Sequence, residues 1–296
     1  MKRASMYLLI FVMLSVVLTC TAYNNNSAKG KIYINDADRI VLYDCVKYSI
    51  TTVFESDKKY NWIYGVTLTK DRSKMYFGML DHTNYTYSLL CYHVLDKTID
   101  TLVSKMNESI CNVVISPLED KIAFVVDSNS TFRCAIYDLK KKNTYMLKEL
   151  KLAAGNICWS NSGESIFLSK EDGMIVEAKA NGEIIKSVAQ GYSPAISRDN
   201  RYLAYVFDGN IYVKELSSGN NTGIVSHSSY YSPQYYSIVN ITWSPDGSYI
   251  LFQGHNPLSK ILSMSSQYVI IQADGKGHPL KVMDISGAGY GACWVP

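Results

Sequence analysis

The stretch WSPDGSYILF, residues 243–252, is a β-hairpin written in sequence. Pro-Asp-Gly reverses the chain, and the alternating apolar positions after it return the chain as a strand. Its weight comes from recurrence. It aligns without gaps with ISRDNRYLAY (196–205), WSNSGESIFL (159–168), ISPLEDKIAF (115–124) and LTKDRSKMYF (68–77). Each copy has an apolar residue, then Ser or Thr, a polar turn, and an alternating run that ends in an aromatic residue or Leu. The Ser/Thr positions are 69, 116, 160, 197 and 244, so the period is roughly 37–47 residues, the range of four-stranded propeller blades.

A third strand is expected after each hairpin: LLCYHVLD (89–96), RCAIYDL (133–139), MIVEAKANG (174–182), NIYVKEL (210–216) and YVIIQADG (268–275). Asp or Gly turns then lead to short fourth strands such as TYMLKEL (144–150). Short strands separated by turn signals, with no helical stretch after the N-terminal segment, indicate an all-β array. One four-stranded sheet cannot cover both of its faces, so the blades must pack against one another around an axis.

The two ends of the chain complete a sixth copy. GACWVP (291–296) matches a first strand up to Trp-Ser-Pro and stops there. KIYIND (31–36), RIVLYDC (39–45) and YSITTVF (48–54) supply second, third and fourth strands. The expected fold is a six-bladed β-propeller over residues 31–296, with Cys293-Trp294-Val295 beside the strand at 31–36. Such closure removes exposed sheet edges. These repeats, above all WSPDG paired with YVIIQADGKG, resemble the TolB-like six-bladed propellers over nearly the whole chain after the N-terminal segment. The match is weaker at 68–102, where LTKDR replaces WSPDG. The resemblance implies the fold and an envelope location. The founding member carries a further α/β domain before its propeller, for which this reading leaves no room, so its partnership with the peptidoglycan-associated lipoprotein is not implied. Fold alone does not fix function.

The N-terminus points to export. Lys2 and Arg3 precede an apolar run from Met6 to Leu18, and polar Asn24-Asn25-Asn26-Ser27 follows. Roughly 13 apolar residues suit a secretory signal and are short for a span of about 20. Val17-Leu18-Thr19-Cys20 resembles a bacterial lipobox with Thr19 out of pattern, which makes Cys20 the candidate lipidated residue. Cleavage after Ala22, releasing a soluble protein, and an uncleaved anchor stay open. The boundaries expected are signal 1–22, linker 23–30 and propeller 31–296.

The chain has 296 residues, 47% of them hydrophobic, and a formal charge of +3 that includes Lys2 and Arg3. A nearly neutral mature chain gives no reason to expect a nucleic-acid partner. Beyond Cys20 lie Cys45, Cys91, Cys111, Cys134, Cys158 and Cys293. An even count in an exported chain invites disulfides, but most of these sit in apolar strand-like runs, where free Cys packs as a small hydrophobe. No C-x-x-C pair is present, and no cofactor is expected.

Catalytic signals are sparse. No G-x-S-x-G elbow is present. Of five His, His82, His227 and His255 fall in connections on one face of the ring, the open face formed by second-to-third and fourth-to-first loops. They are weak metal candidates, with neither H-x-H nor H-E-x-x-H spacing. The two longest connections on that face are 217–240 and 254–267, and long loops in compact β domains are often functional. Tyr230, Tyr231, Tyr235 and Tyr236, with His255 at the rim, are therefore the candidate binding residues. Aromatic rings with wet hydroxyls suit protein or sugar surfaces, although the same rings could pack onto their own blade. The expected function is an exported binding or scaffold module at the envelope. Its partner is an envelope protein or carbohydrate, and it touches the membrane only through a lipid. The alternative is a lyase or lactonase-like hydrolase with an open-face metal.

Overall fold

The computed structural model describes residues 28–57, 61–153, 156–225, 238–255, 266–276, 280–285 and 291–296. Among them the chain forms strands and no helix. The first three strands are β1 (Lys31–Asp36), β2 (Arg39–Asp44) and β3 (Ser49–Glu55). Blade one follows with β4 (Trp62–Leu68), β5 (Lys74–Asp81), β6 (Thr86–His93) and β7 (Ile99–Met106). Blade two is β8 (Ser109–Ile115), β9 (Lys121–Ser128), β10 (Thr131–Asp138) and β11 (Asn143–Leu152). Blade three is β12 (Cys158–Trp159), β13 (Ser165–Ser169), β14 (Met174–Lys179) and β15 (Ile184–Gln190). Blade four is β16 (Tyr192–Ile196), β17 (Tyr202–Phe207), β18 (Asn210–Glu215) and β19 (Asn221–Val225). Blade five is β20 (Ile238–Trp243), β21 (Tyr249–His255), β22 (Ser266–Gln272) and β23 (Leu280–Ile285), and β24 (Ala292–Val295) ends the chain.

Each sheet is four-stranded and antiparallel, and the sixth has the order β24-β1-β2-β3. Tyr33 stands opposite Cys293 and Ile32 opposite Trp294, so the chain ends share one blade as the repeat requires. The shared blade meets its neighbours through β20 and β24 on one side and β24 and β4 on the other. The fold is a closed six-bladed β-propeller.

Burial differs from simple one-sided alternation. β13, SIFLS, is buried at every position, and β1 at all but its first. The cause is the ring: middle strands are covered by a blade on each face, as in parallel sheets covered on both sides. Apolar clusters fill the spaces between neighbours, with Ile32 meeting Leu251 between the shared blade and blade five, and Phe54 meeting Phe77 on the other side. The outer strands, such as β15 with its pattern eeeeiie, face solvent along most of their length. The fourth strand β11 is longer than the short strand expected there, running ten residues.

The Ser/Thr of each repeat now has a structural reason. Ser244 Oγ donates to Asp246 Oδ1 at 2.6 Å and accepts from Tyr249 N at 2.9 Å. Ser197 does the same with Asp199 and Tyr202, and Thr69 with Asp71 and Lys74. The hydroxyl therefore closes the hairpin, and the aspartate satisfies amides that the turn would leave unpaired. Three residues after the Ser/Thr the backbone takes positive φ, at Gly163, Gly247 and Asn200 but also at Arg72 and Glu119. This is the residue where the motif favours Gly.

Candidate functional site

The inner strands β4, β8, β12, β16, β20 and β24 surround the axis. Three residues before the last apolar residue of each first strand stand Gly65, Asn112, Asn156, Ser193, Asn240 and Gly291, each small or an amide. Register shifts fall at or beside this position in β4, β8, β16 and β20, and φ is positive at Gly65, Ser193 and Asn240. A bulge there explains the preference for Gly and Asn. Glycine is required where strands nearly touch. A Cβ on Gly65 would lie 2.6 Å from Val113 N, and one on Gly291 would lie 2.6 Å from Gly65 Cα. Asn112 Nδ2 donates to Asn156 Oδ1 at 3.1 Å across two blades, and Asn240 donates to Gln253 Oε1.

Above this level, towards the face carrying the Ser-Pro-Asp-Gly turns, the axis opens into a cavity of about 400 Å³. Its charged lining is Lys70, Arg72 and Arg198, and no Asp, Glu or His lines it. The residue after the Ser/Thr of the repeat supplies Lys70, Asn161 and Arg198, so the turn itself aims these side chains at the mouth. The rim is tied from blade to blade. Arg72 Nη2 donates to Pro296 O at 2.6 Å, Lys70 N donates to Glu119 Oε1 at 2.5 Å, and Asn161 Nδ2 donates to Ser197 O at 2.8 Å.

The nearby aspartates are engaged in their own turns. The Thr69 hydroxyl, with Ser73, holds the Asp71 carboxyl down at about 2, and the Ser197 hydroxyl lowers Asp199. Cys158 lines the cavity, but burial pushes its thiol up to about 12. The mouth therefore offers cations and amides to an anionic group, without a general base or a thiolate. A second hollow of about 860 Å³ lies off the axis beside blades four and five, and its charges are mixed: Asp246 and Asp274 with Lys29 and Lys276.

None of the site residues expected from sequence is among those lining the axial cavity. Tyr230, Tyr231, Tyr235, Tyr236, His227 and Cys20 fall outside the described residues. His255 closes β21 opposite Ser266. His82 sits in the β5–β6 turn with its ring 5.0 Å from Trp62 and 6.1 Å from Tyr85. Among the described residues no group of three His, Cys, Asp or Glu is placed to hold a metal ion. All six described cysteines are free, and Cys45, Cys91 and Cys134 are buried. Sequence reasoning missed the axial mouth. Its signal was present in G-V-T-L, N-V-V-I, N-I-C-W, S-P-A-I, N-I-T-W and G-A-C-W, each immediately before the turn.

No protein-family model matches the chain, and no curated protein sequence does either. Solved structures do. TolB from Acinetobacter baumannii superimposes with a TM-score of 0.67 at 14% identity, covering 90% of this chain and 66% of that one. This chain thus spans just under two thirds of that TolB. A protein from Agrobacterium tumefaciens assigned as a TolB gives 0.60 at 12% identity, covering 92% of this chain and 100% of that one. A chain of the nidogen/laminin complex gives 0.62 at 9% identity, covering 88% and 97%. The likeness shows the TolB-like propeller fold.

Proposed function

We propose that this chain is an exported binding and scaffold module at the cell envelope, and that its axial mouth seats an acidic segment of a partner protein. One observation carries the reading: Lys70, Arg72 and Arg198 converge on a cavity with no carboxylate side chain in its lining. A closed ring holds such a mouth rigidly, which lowers the ordering cost of binding. Export and a lipid on Cys20 follow from the N-terminal sequence, and the TolB-like fold is in keeping with an envelope location. Tyr230, Tyr231, Tyr235 and Tyr236, with His255, are the residues that the sequence offers for a second contact surface.

The test is capture from envelope extract by the mature protein, followed by titration of the captured partner. Lys70→Glu with Arg198→Glu should weaken binding strongly, more at low salt than at high salt, and leave thermal unfolding close to wild type. Alanine at the four tyrosines should cost about 2 kcal/mol or more if they anchor the same partner. Undiminished capture by the double charge reversal defeats the proposed mouth.

A further inference from the structure

We propose that Trp62, His82 and Tyr85 form a saccharide-stacking site on the open face of blade one. The site lies across the ring from the axial mouth and does not depend on it.

The three aromatic residues are not explained by packing. Trp159, Trp243 and Trp294 are buried at 4–7% exposure, whereas Trp62, at the start of β4, is 41% exposed. Tyr85 is 72% exposed and stands at φ 52, a left-handed backbone that bulky residues avoid. The residue just before the third strand is Ser130, Gly173 and Gly209 in blades two, three and four, each also at positive φ, so the turn itself does not require a ring there. Strain kept at a residue whose side chain packs on little points to use rather than to folding.

His82 sets the geometry. Its ring meets Trp62 at 78° and Tyr85 at 73°, so the imidazole stands edge-on between them as a spacer. Its Nε2 is buried and has no hydrogen-bond partner. Two residues further along each strand, Tyr64 and Tyr87 pair with ring centroids 5.8 Å apart. Beside the rings, Thr83 and Asn84 are exposed. Asn84 Nδ2 donates to Asp81 Oδ2 at 3.0 Å, which fixes the amide and leaves its other N–H and its oxygen for a ligand.

A pyranose has a C–H face and a rim of hydroxyls. The C–H face suits the negative face of an aromatic ring, and the hydroxyls suit a neighbouring amide. A protein partner would need about 800 Å² on each side, far more than three rings of one blade provide. The occupant is therefore a neutral sugar chain.

The full exported chain can be titrated with cellotetraose, maltotetraose and tetra-N-acetylchitotetraose while tryptophan emission is followed. Trp62 is the exposed tryptophan among the described residues, so stacking should shift or quench the signal saturably for at least one probe. Trp62→Ala should abolish that change, and Tyr85→Ala should weaken affinity at least about tenfold. Tyr85→Gly should weaken it as much while unfolding at no lower temperature, because glycine accepts the left-handed backbone. Lys70→Glu with Arg198→Glu should leave saccharide affinity unchanged. No saturable response to any of the three probes overturns the proposal. So does a Trp62→Ala protein that still binds with wild-type affinity when followed by calorimetry, or a Tyr85→Gly protein of unchanged affinity.

Discussion

The indole nitrogen of Trp243 donates to the carbonyl oxygen of Ala195 at 2.9 Å, so blade five is pinned to blade four through their inner strands. Trp159 makes the matching bond to Val114 O at 3.2 Å, from blade three to blade two. Trp294 bonds instead to Lys29 O at 2.9 Å and joins the two ends of the chain. Trp243→Phe keeps most of the buried ring but removes this bond between blades, which should cost about 0.5–1.5 kcal/mol. Urea unfolding should show a lower midpoint with an unchanged slope.

Closure makes a sharper contrast between two glycines. Gly291 has φ +133, and an added Cβ would lie 2.6 Å from Gly65 Cα in the adjacent inner strand. Gly247 has φ +72, and an added Cβ would meet nothing within 4 Å. Gly247→Ala should therefore cost only about 1–2 kcal/mol of backbone strain. Gly291→Ala adds a backbone clash to its strain and should lower the unfolding temperature well beyond Gly247→Ala. Equal shifts in parallel thermal scans would show that the seam between β24 and β4 has room to give.

The blades were legible because each turn carries its own chemistry. Ser244, Asp246 and Gly247 are each demanded by a hydrogen bond or a dihedral angle, and that demand repeats with every copy. The shared blade was legible because GACWVP is half of a repeat. Two-sided burial of β13 could not be read from one blade, because its second cover is another part of the chain. The mouth was harder still. Lys70 and Arg198 look like ordinary turn residues, and only the ring brings side chains 128 positions apart to one cavity. Trp62, His82 and Tyr85 meet across the β4–β5 pairing, so His82 read alone suggested a metal ligand and not a spacer between rings.

The buried thiols give an independent measure of the fold. Burial pushes Cys45, Cys134 and Cys158 up to about 12, and Cys293 to about 11. The thiolate is the reactive form. Ellman's reagent at pH 8 should leave Cys45 and Cys134, which are also inaccessible to solvent, unmodified in the native protein and titrate them at once in guanidinium. Rapid native-state modification at Cys134, followed by peptide mapping, would contradict its burial between blades two and three.

Membrane attachment rests on Leu18-Thr19-Cys20 at the end of the apolar run. A single acyl chain holds a protein weakly, and two or more give a stable anchor. If Cys20 carries the lipid, Cys20→Ser should move the protein from the detergent phase to the aqueous phase on phase partitioning. A mature N-terminus at Tyr23, found by mass spectrometry, would assign the chain to ordinary secretion.

The turn aspartates set how the ring responds to acid. The Thr69 hydroxyl is the largest influence on Asp71, with Ser73 adding to it, and together they hold the carboxyl at about 2. The Ser197 hydroxyl lowers Asp199 in the same way. In the unfolded chain an aspartate titrates at about 4. A carboxyl that is more acidic folded than unfolded stabilises the native state fully above the unfolded value, and this stabilisation is lost as pH falls towards the folded value. Thermal stability should hold level above about pH 4 and fall between about pH 4 and pH 2. Asp71→Asn cannot ionise, so its deficit against wild type should be greatest above pH 4 and shrink through that window. Thr69→Val removes the largest cause of the depression, so its acid-dependent loss of stability should be smaller than in wild type and should level off at a higher pH. A Thr69→Val profile that loses as much stability as wild type over the same window would mean that the hydroxyl does not hold the carboxylate, and that Thr69 serves the turn only through its bond from Lys74 N.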